Sequence, residues 1–288
     1  MRFLSLCLFT TLLGGVLSAQ DPKPLGPPVS VQPPKALTVM SFNIRNGLAK
    51  DGVNHWDKRK QDVLATIRAH EPQLVGLQEA YHFQLEYLTA ALPGYTLVGV
   101  GRDGGEKGEY SCLLIETKRL EVRRSGTFWL SEKPEQVASK GWDAALPRIC
   151  TWAVLREHGS LREFLVMNAH FDHRGKVARL RSAELMHARL ADFEGLPVIV
   201  TGDLNQGEAS KPLSALKGEL LVDSFRVAHP KSSPAGTFNG FAGKRDGAKI
   251  DYVLCSKEWT VQAASIDRRE FEGRMPSDHY PVVAKLQL

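Results

Sequence analysis

PVIVTGDLNQ, residues Pro197 to Gln206, holds an apolar run of strand length that stops on Asp203 and Asn205. Val, Ile and Thr are β-branched and suit a buried pleated strand, while Gly, Asp and Asn suit the turn that ends one. Taken alone, the stretch reads as a strand and a turn, with Asp203 closing the turn or capping a helix and Asn205 forming an Asx turn. The same arrangement recurs along the chain. In TVMSFNIRNG a strand ends on Asn43, in LVGLQEA on Gln78 and Glu79, and in FLVMNAHFDH on Asn168 and His170. KIDYVL opens a strand with Asp251, and PSDHYPV places Asp278 and His279 just before the last one. Each has an ordinary explanation, a helix cap for Glu79 or a satisfied core position for His170, but six such explanations must then coincide. Strand ends of a packed domain are where a rigid scaffold brings side chains to a point, so the grouping predicts a site.

Around these termini the chain alternates short runs rich in Val, Leu and Ile with turn residues and a few helical stretches, the pattern of one mixed α/β domain. Strands are predicted over 36–43, 73–78, 110–115, 150–155, 163–170, 197–202, 250–255 and 282–286. The clearest helix covers Lys176 to Phe193, where Val177, Leu180, Ala183, Met186, Leu190 and Phe193 recur at three- and four-residue spacing on one face. Helices are also predicted from Asp57 to His70 and from Gln84 to Leu92.

With 288 residues, 43% of them hydrophobic, the chain has material for a substantial core. MRFLSLCLFTTLLGGVLSAQ begins with the basic Arg2, continues through an apolar run from Phe3 to Leu13 and reaches small residues at Ala19, which predicts a signal peptide over 1–19. That run is too short to cross a bilayer comfortably and no later segment approaches the required length. A secreted or periplasmic protein is therefore expected, with an uncleaved anchor as the alternative. Residues 20–35 read as a linker, because six prolines among the fourteen residues from Asp21 to Pro34 favour an extended, unpacked chain. The domain then covers 36–288. Cys112, Cys150 and Cys255 each lie inside an apolar run without metal-ligand spacing and read as buried thiols. Export leaves room for one disulfide among them but three cysteines make no disulfide framework. The net charge of +5 is small and scattered. It permits an anionic ligand without forming the basic stripe of a dedicated nucleic-acid binder.

The residue types at the strand ends suit one task. Carboxylate and carboxamide oxygens, with no cysteine ligands and no HExxH-like pair, favour Mg2+ or Mn2+ over structural Zn2+. Mg2+ is typically held by one or two carboxylates together with phosphate oxygens and water, which fits phosphate-ester chemistry. A histidine tuned by a carboxylate is suited to activate water near neutral pH. SFNIR, LQE, NAHFDH, GDLN, IDYVL and SDHYPV, in this order and over this length, resemble the endonuclease/exonuclease/phosphatase superfamily. That superfamily includes pancreatic-type deoxyribonucleases, apurinic-site endonucleases, bacterial sphingomyelinases, inositol polyphosphate 5-phosphatases and nocturnin-like phosphatases. The resemblance covers Ala36 to the C-terminus. It implies an α/β four-layer sandwich, two mixed β-sheets packed face to face and flanked by helices, with the site at one edge. It further implies Glu79 as the principal Mg2+ ligand, assisted by Asn43, with Asp278 as a further metal or base partner. Asp203 and Asn205 are implied to orient or activate the attacking water and to contact the phosphate. His170 is implied to hydrogen-bond the scissile phosphate and assist the leaving group, and Asp251 to orient His279.

Outside these motifs, Arg148 in GWDAALPRICTW is a candidate phosphate clamp, because a guanidinium matches phosphate with two parallel hydrogen bonds; a surface salt bridge is its ordinary reading. His173 and Arg174 follow the motif histidine closely enough to touch substrate, and Asn239 or Phe241 in GTFNGF is expected to line the pocket. The expected activity is that of a monomeric, secreted, Mg2+- or Mn2+-dependent phosphoesterase acting on a phosphomono- or phosphodiester. An extracellular nuclease on DNA or RNA is the alternative among enzymes, and an inactive binding module on the same fold is the alternative outside them. No motif residue is lost, as the inactive module would require.

Overall fold

The runs read as strands lack the alternation of a half-exposed sheet, and a computed structural model of the protein shows why: the central strands are covered on both faces. The structure describes residues 35–232 and 234–288; the predicted signal peptide and the linker up to Pro34 lie outside them. In chain order the strands are β1 (Leu37–Asn43), β2 (Leu74–Ala80), β3 (Tyr95–Val98), β4 (Tyr110–Glu116), β5 (Leu120–Trp129) and β6 (Ile149–Glu157), then β7 (Glu163–His170), β8 (Val198–Asp203), β9 (Leu221–Asp223), β10 (Asp251–Ser256), β11 (Thr260–Ile266) and β12 (Val282–Gln287). They form two six-stranded sheets, ordered β11-β12-β1-β2-β4-β3 and β5-β6-β7-β8-β10-β9.

Each sheet is mixed, with one parallel pair at its centre, β1 with β2 and β7 with β8. A parallel pair requires a long crossover, and the helices α1 (Trp56–His70) and α3 (Lys176–Arg189) supply it. This topology delivers the motifs to one edge. β1, β2, β7 and β8 run toward that edge and contribute their carboxyl ends. β10 and β12 are antiparallel to β8 and β1, so Asp251 and the residues before Val282 arrive there from the opposite direction. In the ladder, Asp203 stands beside His170 on one side and directly opposite Asp251 on the other.

Along each central strand successive side chains enter alternate cores, with a period of two. Val39, Leu74, Val166, Ile199 and Val253 meet between the sheets. Their neighbours Met40, Phe42 and Val75 face α1 and α2 (His82–Ala91). Leu165, Met167 and Val200 face α3 and α4 (Lys211–Lys217). The result is the four-layer α/β sandwich that the motifs implied. A short helix, α5 (Ser224–Ala228), completes the described elements by placing Phe225 in the inter-sheet core. Cys112, Cys150 and Cys255 are free and buried. Among the described residues, no helix is long and apolar enough to cross a membrane.

Toward the motif edge the space between the sheets changes from apolar to polar. Asn168 donates from Nδ2 to the carbonyls of Leu77 and Cys112, both at 2.8 Å, and its Oδ1 accepts from Gln78 at 2.7 Å and Thr201 at 3.0 Å. Ser41 Oγ accepts from the Gly202 amide at 3.0 Å. Gln78 and Asn168 are thus interior ties between sheets. Gly76 makes the approach feasible: a Cβ there would meet Thr201 Oγ1 at 2.1 Å.

Every predicted strand and helix is present. The sequence missed β3, β5, β9 and β11, which lie at or next to sheet edges. On α3 the buried face is Ala178, Ser182, Ala183 and Met186, with Leu190 just beyond, whereas Val177 from the predicted face is exposed.

Candidate active site

Glu79 reaches the site by a break in its strand. Gln78 pairs with Ser111 and Ala80 with Tyr110, leaving Glu79 as the extra residue of a β-bulge. Its φ of 60° lies in the left-handed region, which a side chain other than Gly adopts at a cost of order 1–3 kcal/mol and seldom without a functional reason. The bulge turns the carboxylate off the strand face toward Asn43, whose Nδ2 donates to Glu79 Oε1 at 3.1 Å and to Asp203 Oδ2 at 2.9 Å. The Asn46 amide donates to Glu79 Oε2 at 3.0 Å. Burial works against the charge of Glu79, but His279 and these hydrogen bonds outweigh it and hold the carboxyl below its usual range. Asn43 was expected to assist as a metal ligand. In the structure it is fully buried, its Nδ2 bridges Glu79 and Asp203, and its Oδ1 accepts from the Arg45 amide at 3.0 Å, so it orients both carboxylates.

Asp203 is the hub. Its Oδ1 accepts from the Asn205 amide at 3.0 Å, and Asn205 holds this turn in a left-handed conformation that Asn tolerates well. Its Oδ2 lies 3.5 Å from His170 Nε2 and 3.8 Å from His279 Nε2. Burial and the neighbouring Asp251 carboxylate push Asp203 up to about 7. On the far side, His279 Nδ1 is 2.9 Å from Asp251 Oδ2. Burial opposes a charge on His279, yet Asp251, Asp203 and Asp278 together raise it well above the ordinary imidazole range. His170 is driven the other way, well below that range, by burial and then by the Arg148 guanidinium. Asp278 sits beside Glu79 and is raised by burial, with Arg45 Nη1 3.7 Å from its Oδ2.

These groups open into a cleft of about 530 Å3 whose wall includes Glu79, His170, Asp203, Asn205, Asp278 and His279. Single ligand atoms of Glu79, His170 and Asp203 lie within 4.8 Å of one another, as do those of Asp203, Asp251 and His279. Several buried carboxylates that raise one another's cost of ionisation fit a hard divalent cation, which offsets that repulsion with oxygen ligands.

The sequence model of the endonuclease/exonuclease/phosphatase family matches residues 40–279. The chain belongs to this family. A family member of solved structure from Bacteroides thetaiotaomicron is 36% identical, with a TM-score of 0.84 over 88% of this chain and 98% of that one. A mannosyl-6-phosphatase of the same organism is 35% identical, with a TM-score of 0.83 over 88% of this chain and all of that one, 100%. The human Nocturnin catalytic domain, at 20% identity and a TM-score of 0.70 over 88% of this chain and 93% of that one, shares the fold. Among curated proteins none matches. The chain is accordingly a hydrolase of this family.

The substrate side of this family site differs in part from the sequence expectation. Arg148 and His173 do line the cleft. Arg148 is buried, and its Nη atoms point at His170 Nδ1 at 2.9 Å and His173 Nδ1 at 3.2 Å rather than standing free for phosphate. Arg174 is exposed and lies off the wall. Asn239 is not a wall residue: it is fully buried, donating to Ser277 O at 3.1 Å and accepting from the Phe241 amide at 2.8 Å, so it fixes the loop that carries His279. Its neighbour Phe238 takes the wall position, 46% exposed and edge-on to the His279 ring at 5.1 Å. Phe241 packs under Arg59, which donates to the carbonyls of Ile44 and Pro276 at 2.6 and 3.0 Å and so ties the end of β1 to the final motif. The sequence reading also missed Glu109, a wall carboxylate that burial raises despite Arg102 at 2.5 Å. Asp172, inside the motif NAHFDH, accepts from the amides of Arg174 and Gly175 at 2.9 and 2.7 Å and shapes the loop after His170. A short polar residue followed by Gly was the available signal for that turn.

Proposed function

We propose that the protein is an exported phosphoesterase that uses Mg2+ or Mn2+ to hydrolyse the phosphate ester of a small polyhydroxylated molecule such as a sugar. The observation that carries the reading is the cleft itself: carboxylates at its base, with Phe238, Leu146, Ile250, Asn46 and Glu109 on its walls. Such walls suit a ring bearing hydroxyls. The likeness to a mannosyl-6-phosphatase at 35% identity supports the same substrate class. Export rests on the N-terminal sequence.

Glu79 and Asp278 would hold the cation, which when bound neutralises phosphate charge and polarises the phosphorus centre. Asp203, near 7 and fixed by Asn43 and Asn205, accepts the proton of the attacking water as its oxygen bonds to phosphorus. His279, charged through Asp251, stabilises the negative charge gathering on the phosphoryl oxygens. His170 donates a hydrogen bond to the phosphoryl group while the ester P–O bond breaks, and the departing oxygen takes a proton from solvent and leaves as the alcohol. The charged His279 thereby serves better as an electrostatic group than as the base the sequence suggested.

A nuclease remains the second reading, because a D. rerio TDP2 complexed with a single-strand DNA product shares the fold at 17% identity and a TM-score of 0.71. The test is release of phosphate from mannose 6-phosphate, other hexose phosphates and aryl phosphates, against cleavage of plasmid DNA, RNA and aryl phosphodiesters, with Mg2+ or Mn2+. Faster cleavage of nucleic acid than of any sugar phosphate would overturn the sugar-phosphate reading.

A further inference from the structure

Arg148, just before β6, has 5% of its surface exposed, and its guanidinium meets two imidazoles through the same ring atom, Nδ1 of His170 and Nδ1 of His173. Asp172 and Glu109 flank it at 3.6 and 3.8 Å. A guanidinium has donors only. Each imidazole must therefore accept at Nδ1 and, while neutral, carry its hydrogen on Nε2. A second nitrogen, Asn205 Nδ2, lies 3.1 Å from His170 Nε2. A neutral ring can accept from only one of the two. The charged and closer guanidinium takes that role, and the Asn205 amide donates instead to Phe171 O at 3.0 Å.

We propose that Arg148 is a positioning residue that holds His170 and His173 in one tautomer, leaving two Nε2–H donors on the cleft wall and removing His170 from the metal ligand set. The geometry makes these alternatives exclusive. Glu79, His170 and Asp203 are close enough to form a three-ligand cage, but a cation on Nε2 needs that lone pair. The ring hydrogen would then move to Nδ1, where the guanidinium N–H already stands 2.9 Å away. His173 has no other hydrogen-bond partner among the described residues, so its Nε2–H is available to a substrate oxygen. What the two donors serve rests on the phosphoesterase reading; the tautomers themselves do not.

The deciding experiment is long-range 1H–15N NMR of the full chain labelled at histidine, without added metal, with signals assigned from His170→Asn and His173→Asn. Both rings should appear as the single Nε2–H form. An Nδ1–H form or a mixture at His170 overturns the proposal, and this measurement needs no folded Arg148 variant. Mn2+ binding followed by electron paramagnetic resonance gives the second readout. Glu79→Gln should weaken binding by about tenfold or more, the scale on which even outer partners of a metal act, while His170→Asn should leave it unchanged. Equal weakening by both overturns the proposal. Should Glu79→Gln leave binding intact, the metal assignment fails and the tautomers still decide the role of Arg148. In turnover, Arg148→Met and His170→Asn should each lose about tenfold or more, with the double variant little worse than either, because residues acting as a unit are not additive. Multiplied losses would assign Arg148 a separate, structural role.

Discussion

The two walls of the cleft carry the same side chain in opposite states. His170 on β7 and His279 in the last loop are both 5% exposed, and both direct Nε2 at Asp203 Oδ2, at 3.5 and 3.8 Å. Burial disfavours the charged form of each. The group behind Nδ1 makes the difference: a guanidinium at 2.9 Å behind His170, a carboxylate at 2.9 Å behind His279. One ring is kept neutral and the other charged. Function in this site is therefore assigned one layer behind the atoms that face the cleft.

The strongest way to break the contrast is to remove the proposed cation. Treatment with EDTA should abolish turnover, and Mg2+ or Mn2+ should restore it; full activity in the stripped protein would show that the carboxylates need no cation. Next come the pairs themselves. His279→Ala and Asp251→Asn should each lower kcat by about 10²-fold or more, with the double variant little worse, as expected of a histidine and its orienting carboxylate. His170→Asn should cost less, about tenfold, because a neutral donor contributes less than a charged one. A His170 loss equal to that of His279 would erase the distinction.

Stability against pH separates the rings without any substrate. His279 is raised in the folded state, so its stabilising effect is complete below the unfolded value of about 6.5 and disappears as pH rises through the folded value. His170 is lowered, so the unfolded chain takes up a proton that the native protein refuses, and stability falls as pH drops below about 6.5. In urea unfolding of metal-free protein, His170→Asn should flatten the acid side of the profile and His279→Asn the alkaline side. The same change from both variants would contradict the assignment. The smallest effect is expected at Phe238, where Ala should raise KM several-fold and leave kcat nearly unchanged, since the ring borders His279 without bonding to its nitrogens. A fall in kcat alone would move Phe238 into the chemistry.

The central strands were legible because burial on both faces writes them as continuous apolar runs, and the acids and imidazoles stand out where those runs stop. Edge strands carry no such mark. β11 is mostly exposed, and β5 passes through Arg123, Arg124 and Ser125 at the surface. In GTFNGF the loop is recognisable, but neighbouring residues of an extended segment face opposite ways, and Phe238 rather than the expected Asn239 faces the cleft. Glu109 lies in the charged, glycine-rich GEKGEY, where an acid reads as solvated, and Arg59 lies on α1 among other charged residues that read as a surface face. Both became recognisable only when distant segments closed over them. The role of Arg148 depended on knowing that its partners are nitrogens rather than phosphate oxygens, which no local spacing encodes.

The Gly202 amide, bonded to Ser41 Oγ of the facing sheet, offers a gauge for a different motion. Ladder amides lose protection when a sheet frays, whereas this one loses its partner when the sheets part. In hydrogen exchange, its opening rate compared with that of its β8 neighbours therefore reports how often the sandwich separates as two rigid plates. Since Asn43 comes from one plate and Asp203 from the other, that rate also sets the lifetime of the assembled site.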